Sequence, residues 1–133
     1  MKTETEALFD APCWIIDILP KQVPEGSGGQ YFALEKYFLS EPARTEIRER
    51  HIRLILKLNC YRDVTLEPDP EPNPPPERIV SAMRNGRALL RFGDSLIVSE
   101  PDDINMTLFG PDPEFLDLVK AAAPGEGLFV WQP

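Results

Sequence analysis

The chain has 133 residues, the size of one domain, and its 42% hydrophobic and 27% charged residues suit a single core and exclude a disordered chain. The formal net charge is −8, and such a surface repels phosphate backbones and anionic lipid headgroups, so neither nucleic acid nor a membrane is an expected partner. No apolar run is long enough to span a bilayer, Met1 to Glu6 lacks the apolar stretch of a secretory leader, and Cys13 and Cys60 have no metal-site spacing, so the expectation is a cytoplasmic protein with reduced thiols and no metal or cofactor.

Residues 1–10 are polar and acidic and are expected to fray. Pro12 to Leu19 reads as a strand that is mainly apolar on both faces, an inner strand or one with its second face covered. Glu25-Gly-Ser-Gly-Gly29 is a loop. Gln30 to Leu39 follows as a helix, with Tyr31, Leu34 and Phe38 on one face and Phe32 and Leu39 widening it; such a stripe predicts core. Ser40-Glu-Pro-Ala is a helix entry with Ser40 as its cap. The helix runs to about Cys60 on a buried stripe of Ile47, His51, Leu54, Ile55 and Leu58, with Glu46/Arg50 and Glu49/Arg53 spaced for surface ion pairs.

Asp63 to Glu67 predicts a short edge strand. The acidic segment 67–77 that follows holds six of the fifteen prolines and is expected to lie extended on the surface without a ladder, because proline lacks the donor. Glu77 to Asn85 reads as a short helix. Ala88 to Phe92 and Ser95 to Ser99 then flank Gly93-Asp94, the pattern of a type II′ hairpin. Ile104 to Phe109 alternates as a third strand of the meander. Asp112 caps and Pro113 opens a helix ending near Ala123, and Leu128 to Trp131 reads as a last strand inserted beside existing ones. The expected architecture is one α+β domain over residues 1–133. Its mostly antiparallel sheet comprises the N-terminal strand, the C-terminal three-stranded meander and the last strand, with helices packed on one face and Trp14 and Trp131 in a shared core.

Three stretches together carry a resemblance: Gln30 to Leu39, Leu58-Asn-Cys-Tyr-Arg-Asp63, and Met106-Thr-Leu-Phe109 continuing to Gly127-Leu-Phe-Val-Trp131. They resemble small acidic bacterial proteins of an uncharacterised family. The resemblance implies a single small α+β domain, and it assigns neither an activity nor site residues.

No catalytic motif, phosphate-binding loop or metal spacing occurs, so the expectation leans away from an enzyme. Charge is segregated instead: residues 92–133 hold one base, Lys120, against eight acids. A concentrated acidic face steers basic partners. The expected interaction face is Glu100, Asp102, Asp103, Asp112, Glu114 and Asp117 on a protein-interaction module of the inhibitor or immunity type, with pairing of the wet sheet face to a second copy left open. One alternative is a small-ligand domain lined by Tyr31, Tyr37, Trp14 or Trp131. The other is a hydrolase-like enzyme using Asp17, an acid inside an apolar strand, and His51, the sole histidine. For Asp17 the simpler reading is a place at the sheet margin or an arginine partner. For His51 it is a helix residue donating to a carbonyl, and for Cys60 it is packing.

Overall fold

The computed structural model describes residues 4–26 and 28–133. Their elements run α1 (Glu4–Leu8), β1 (Cys13–Asp17), α2 (Gly28–Phe38), α3 (Ala43–Asn59), β2 (Thr65–Glu67), β3 (Glu71–Pro72), α4 (Pro76–Asn85), β4 (Ala88–Phe92), β5 (Ser95–Ser99), β6 (Met106–Phe109), α5 (Pro113–Ala122) and β7 (Phe129–Trp131). The strands form one antiparallel sheet in the order β3-β2-β4-β5-β6-β1-β7. The meander is its centre. Gly93, at φ +62, makes the tight turn between β4 and β5 while Asp94 keeps negative φ, as a type II′ turn requires.

Register parity sorts the side chains. Directly paired residues share a face, so Leu66, Leu90, Ile97, Leu108 and Trp14 line up across the sheet, with Ile16 opposite Met106 and Val130. This face packs against Ile52, Leu54, Ile55 and Leu58 of α3, Ile79 and Met83 of α4, and Phe115 and Val119 of α5. The α+β architecture with helices packed on the sheet is therefore as the sequence predicts. The other face carries Ile15, Asp17, Leu89, Leu96, Val98, Phe109 and Trp131. At one end α1 lies over it, with Phe9 against Phe109 at a ring separation of 5.2 Å.

Several expectations need correction. Residues 1–3 of the segment expected to fray lie outside the described residues, but residues 4–8 form α1, and Glu4 reaches Arg91 at 2.8 Å. Of the loop expected over 25–29, Ser27 lies outside the described residues and Gly28 already belongs to α2. β2 is not an edge strand, because β3 pairs outside it through two residues of the Pro-rich segment. β7 pairs only with β1 and so is an edge. Trp14 and Trp131 do not share a core: Trp131 pairs with Ile15, on the face opposite Trp14.

Local chemistry also departs from local spacing. Ser40 is not the α3 cap, since its hydroxyl donates to the Lys36 carbonyl. Pro42 holds the cap position, and Glu41 just before it accepts from the Thr45 N–H at 2.9 Å and the Thr45 hydroxyl at 2.6 Å. Glu46 pairs with Arg50 as expected, but Glu49 pairs with Arg84 of α4, and Arg53 with Glu126 beyond α5. Long-range partners win because they join elements already packed, whereas an exposed pair within one helix contributes only about a few tenths of a kcal/mol.

The α5 start is the most tightly specified joint. Asp112 accepts from the Phe115 N–H at 2.8 Å and takes both guanidinium nitrogens of Arg62 at 2.7 and 2.9 Å. The Arg62 hydrogen bonds, then the Phe115 N–H, hold the Asp112 pKa down at about 2. Asp112→Ala removes the cap and the fork together, and the expected loss in urea unfolding is about 2 kcal/mol.

Candidate functional site

Sequence places six acids on one expected interaction face, and the fold divides them. Glu100, Asp102 and Asp103 precede β6, whereas Asp112, Glu114 and Asp117 follow it, so the two groups flank the strand at opposite ends. Half of them are internally neutralised. Glu100 pairs with Arg87 at 2.6 Å, Asp102 with Arg44 at 3.2 Å, and Asp112 with Arg62. Asp103, Glu114 and Asp117 have no basic group at ion-pair distance among the described residues.

Asp103 is the informative member. Asp103 is largely exposed, yet its partial desolvation raises its pKa first, and the charges of Glu100, Glu35 and Asp102 push it further. The same end of the sheet holds Asp17, only 2% exposed. Burial also raises Asp17, against the pull of the Ile18 and Leu19 N–H groups. The Ile18 N–H bond is 2.8 Å. The Trp131 indole N–H faces this carboxylate and lowers its pKa, yet it falls short of a well-formed hydrogen bond and is buried without a proper acceptor. Among the described residues no arginine is paired with Asp17, which ends β1, so of its two simpler readings the sheet margin is the one found. Tyr31 of α2 joins the two acids: burial raises its phenol, followed by the charges of Glu35, Asp17 and Asp103.

His51 is 3% exposed and lies on α3 beside the β5–β6 connection. Burial lowers its pKa to about 4, against a hydrogen bond to the Ile104 backbone that favours the charged form, and Arg48 and Arg50 lower it further. The ring is therefore neutral at pH 7. Its Nε2 is buried with no hydrogen-bond partner among the described residues. The groups acting on His51 do not include Asp17, which leaves β1 on the face away from α3. The fold does not bring this acid and this base to one substrate.

A small cleft lies over His51. It is walled by Phe38 and Leu39 at the end of α2, by Arg44, Ile47 and Arg48 of α3, and by residues 99–101, Asp103 and Ile104. The enclosed space is about 10 Å³, enough for one group the size of water. Arg44 and Arg48 on this wall donate to backbone carbonyls: both reach the Pro101 oxygen, at 3.2 and 3.0 Å, and Arg48 also reaches the Arg84 oxygen at 2.7 Å.

The helix that borders this end is unusual in its burial. α2 contributes no buried residue. Tyr31, Leu34, Glu35, Phe38 and Leu39 face the protein half-covered, while Phe32 and Tyr37 are each 67% exposed. They bracket an outer face with Ala33 and Lys36 between them. The stripe expected to be core is thus a shallow contact, and Phe32 is not on it. Helical spacing carries a signal for this, since positions 32 and 37 fall off the 31/34/38 stripe. The four aromatics expected to line a ligand pocket do not converge either: Tyr37 points out, and Trp14 and Trp131 lie on opposite sheet faces. Cys60 is exposed at the end of α3 and does not pack.

Among the described residues no group of three or more histidine, cysteine or acidic side chains could hold a metal ion, and no helix is long and apolar enough to cross a membrane. Comparison with protein-family models, with curated proteins and with solved structures finds no match to this chain. The molecule is defined by its own features: an α+β fold whose sheet centre is filled, and an aromatic helix with acids beside it that the core does not use.

Proposed function

We propose that this chain is a protein-interaction module that engages a basic partner through α2 and the carboxylates beside it. The observation that carries the reading is the outward placement of Phe32 and Tyr37 on a helix with no buried residue. Aromatic rings are enriched where partners dock, because a large rigid side chain removes much apolar area from water at little entropic cost. The net charge of −8 sets the sign of the partner, and Asp103, Glu35 and Glu41 form an acidic rim near the helix. Lys36 is the one base on the outer face and works against that charge. An inhibitor or immunity-type role fits this arrangement, since such proteins match charge to a basic target and need no chemistry of their own.

The test compares capture from cell lysate by the wild-type protein and by Phe32→Ala/Tyr37→Ala, at low and at high salt. The expected result is a basic protein held by the wild type at low salt, released at high salt, and absent from the variant. Identical retention by both proteins, or no salt-sensitive protein at all, would overturn the proposal.

A further inference from the structure

α2 is made of residues suited to a core, yet it lies outside one. From Tyr31 to Phe38 only Glu35 and Lys36 carry charge, and the rest are aromatic or aliphatic. A helix apolar on every side is ordinarily enclosed. α2 instead buries no residue, whereas the shorter α4 buries Ile79 and Met83 and the shorter α5 buries Phe115 and Val119. From this we infer that α2 is a hinged arm, which leaves the body of the protein as one unit while the sheet and the other long helices stay folded. The inference goes beyond the docking reading, since it concerns how the helix is held and needs no partner.

Charge does not fasten the helix. Among the described residues no ion pair joins α2 to another element. By contrast α3 is tied to α4 through Glu49 and Arg84, and the start of α5 is tied back to Arg62 through Asp112. The charge of Glu35, on the inner side, bears on Asp103, another acid. The near end suits a hinge. Gly26 sits at φ +92, and Gly28 and Gly29 open the helix. Neither of these two is required by space: a β-carbon at Gly29 would meet nothing within 4 Å, and one at Gly28 would meet Phe32 at 3.8 Å, an ordinary contact. Glycine loses more freedom than alanine on entering a helix, so this first turn is weaker than its surroundings demand. At the far end Phe38 and Leu39 wall the cleft over His51, whose Nε2 is buried without a partner among the described residues. The closed arm adds to the walls around an acceptor it does not satisfy, and opening gives that acceptor to water. An open arm presents Tyr31, Leu34 and Phe38 as well as Phe32 and Tyr37.

Native-state hydrogen exchange of the full chain at neutral pH, read amide by amide by NMR, tests the arm. The amides of Phe32 to Leu39 are expected to share one protection factor, about a hundredfold or more below that of Leu54, Ile55 and Leu58 in α3. Gly28→Ala/Gly29→Ala, folded as the wild type, is expected to raise the shared α2 factor about tenfold. Protection of α2 equal to that of α3 overturns the inference, because the helix then opens only when the whole protein unfolds. Protection that climbs steadily from Phe32 to Leu39 overturns it too, since that is fraying from one end. So does a factor that the two alanines leave unchanged. The outcome is separable from that of lysate capture. Fast common exchange without capture that depends on Phe32 and Tyr37 keeps the arm and ends the docking proposal, and the converse result ends the arm alone.

Discussion

Replacing Phe115 with alanine is expected to cost about 4 kcal/mol, the largest single loss at any site described above. Phe115 is fully buried, and its ring lies 5.0 Å from that of Phe92, also fully buried. On its other side the Arg62 guanidinium sits 4.9 Å above the ring. Truncation therefore opens a cavity in the layer between α5 and the sheet and removes the platform under the arginine that Asp112 holds. Equilibrium urea unfolding of the variant checks this, with Phe129→Ala as the control. Phe129 sits on the edge strand at 39% exposed and is expected to cost about 1 kcal/mol or less. A loss below about 1 kcal/mol at Phe115 would mean that the core does not depend on this ring pair.

His51 is expected to make the protein acid-sensitive in a defined window. Its folded pKa is lowered from 6.5 to about 4, chiefly by burial. In the unfolded chain the ring takes up a proton near the ordinary value, so between those two values the unfolded state binds more protons than the folded one. Stability from this group is whole above pH 6.5, falls as pH drops toward 4, and levels off below. The loss between pH 7 and pH 4.5 is expected to be about 2.5 kcal/mol. Arg44 and Arg48 of α3 and Glu100 and Asp103 of the β5–β6 loop face the same cleft. Arg48 and Arg50 add to the lowering through their charges. Carboxylates elsewhere titrate in the same range, so the measurement is the difference between wild type and His51→Phe in urea unfolding at several pH values. The wild type should lose this amount relative to the variant as pH falls. Parallel curves would show that the ring is not buried neutral.

Much of the fold is legible where one local rule is decisive. The Gly93-Asp94 turn, the alternation of β6 and the Asp112-Pro113 helix entry each follow from a few adjacent residues, and each is found. What escapes is set by distant contacts. α1 is a five-residue segment whose place comes from Phe9 on Phe109 and from Glu4 on Arg91, partners far too distant in sequence for any local pattern to show. The split of Trp14 and Trp131 between faces depends on register, and a slip by one residue reverses every side chain. β1 is apolar on both faces, so its composition could not choose between them. The candidate site follows the same logic. Asp17 and His51 are visible as unusual residues and Asp103 only as one acid of six, and their neighbours are not visible at all: Ile104, Phe38 and Tyr31 reach them through the fold. The six acids read as one face in sequence because their spacing hides that β6 lies between them.

The measurement that most directly tests the central claim is urea unfolding of Phe32→Ala/Tyr37→Ala in the absence of any partner. If α2 holds these rings outward for another molecule, the double variant unfolds within about 0.5 kcal/mol of the wild type, as surface substitutions do. A loss of about 3 kcal/mol or more would place the two rings in the core and leave the helix nothing to offer a partner.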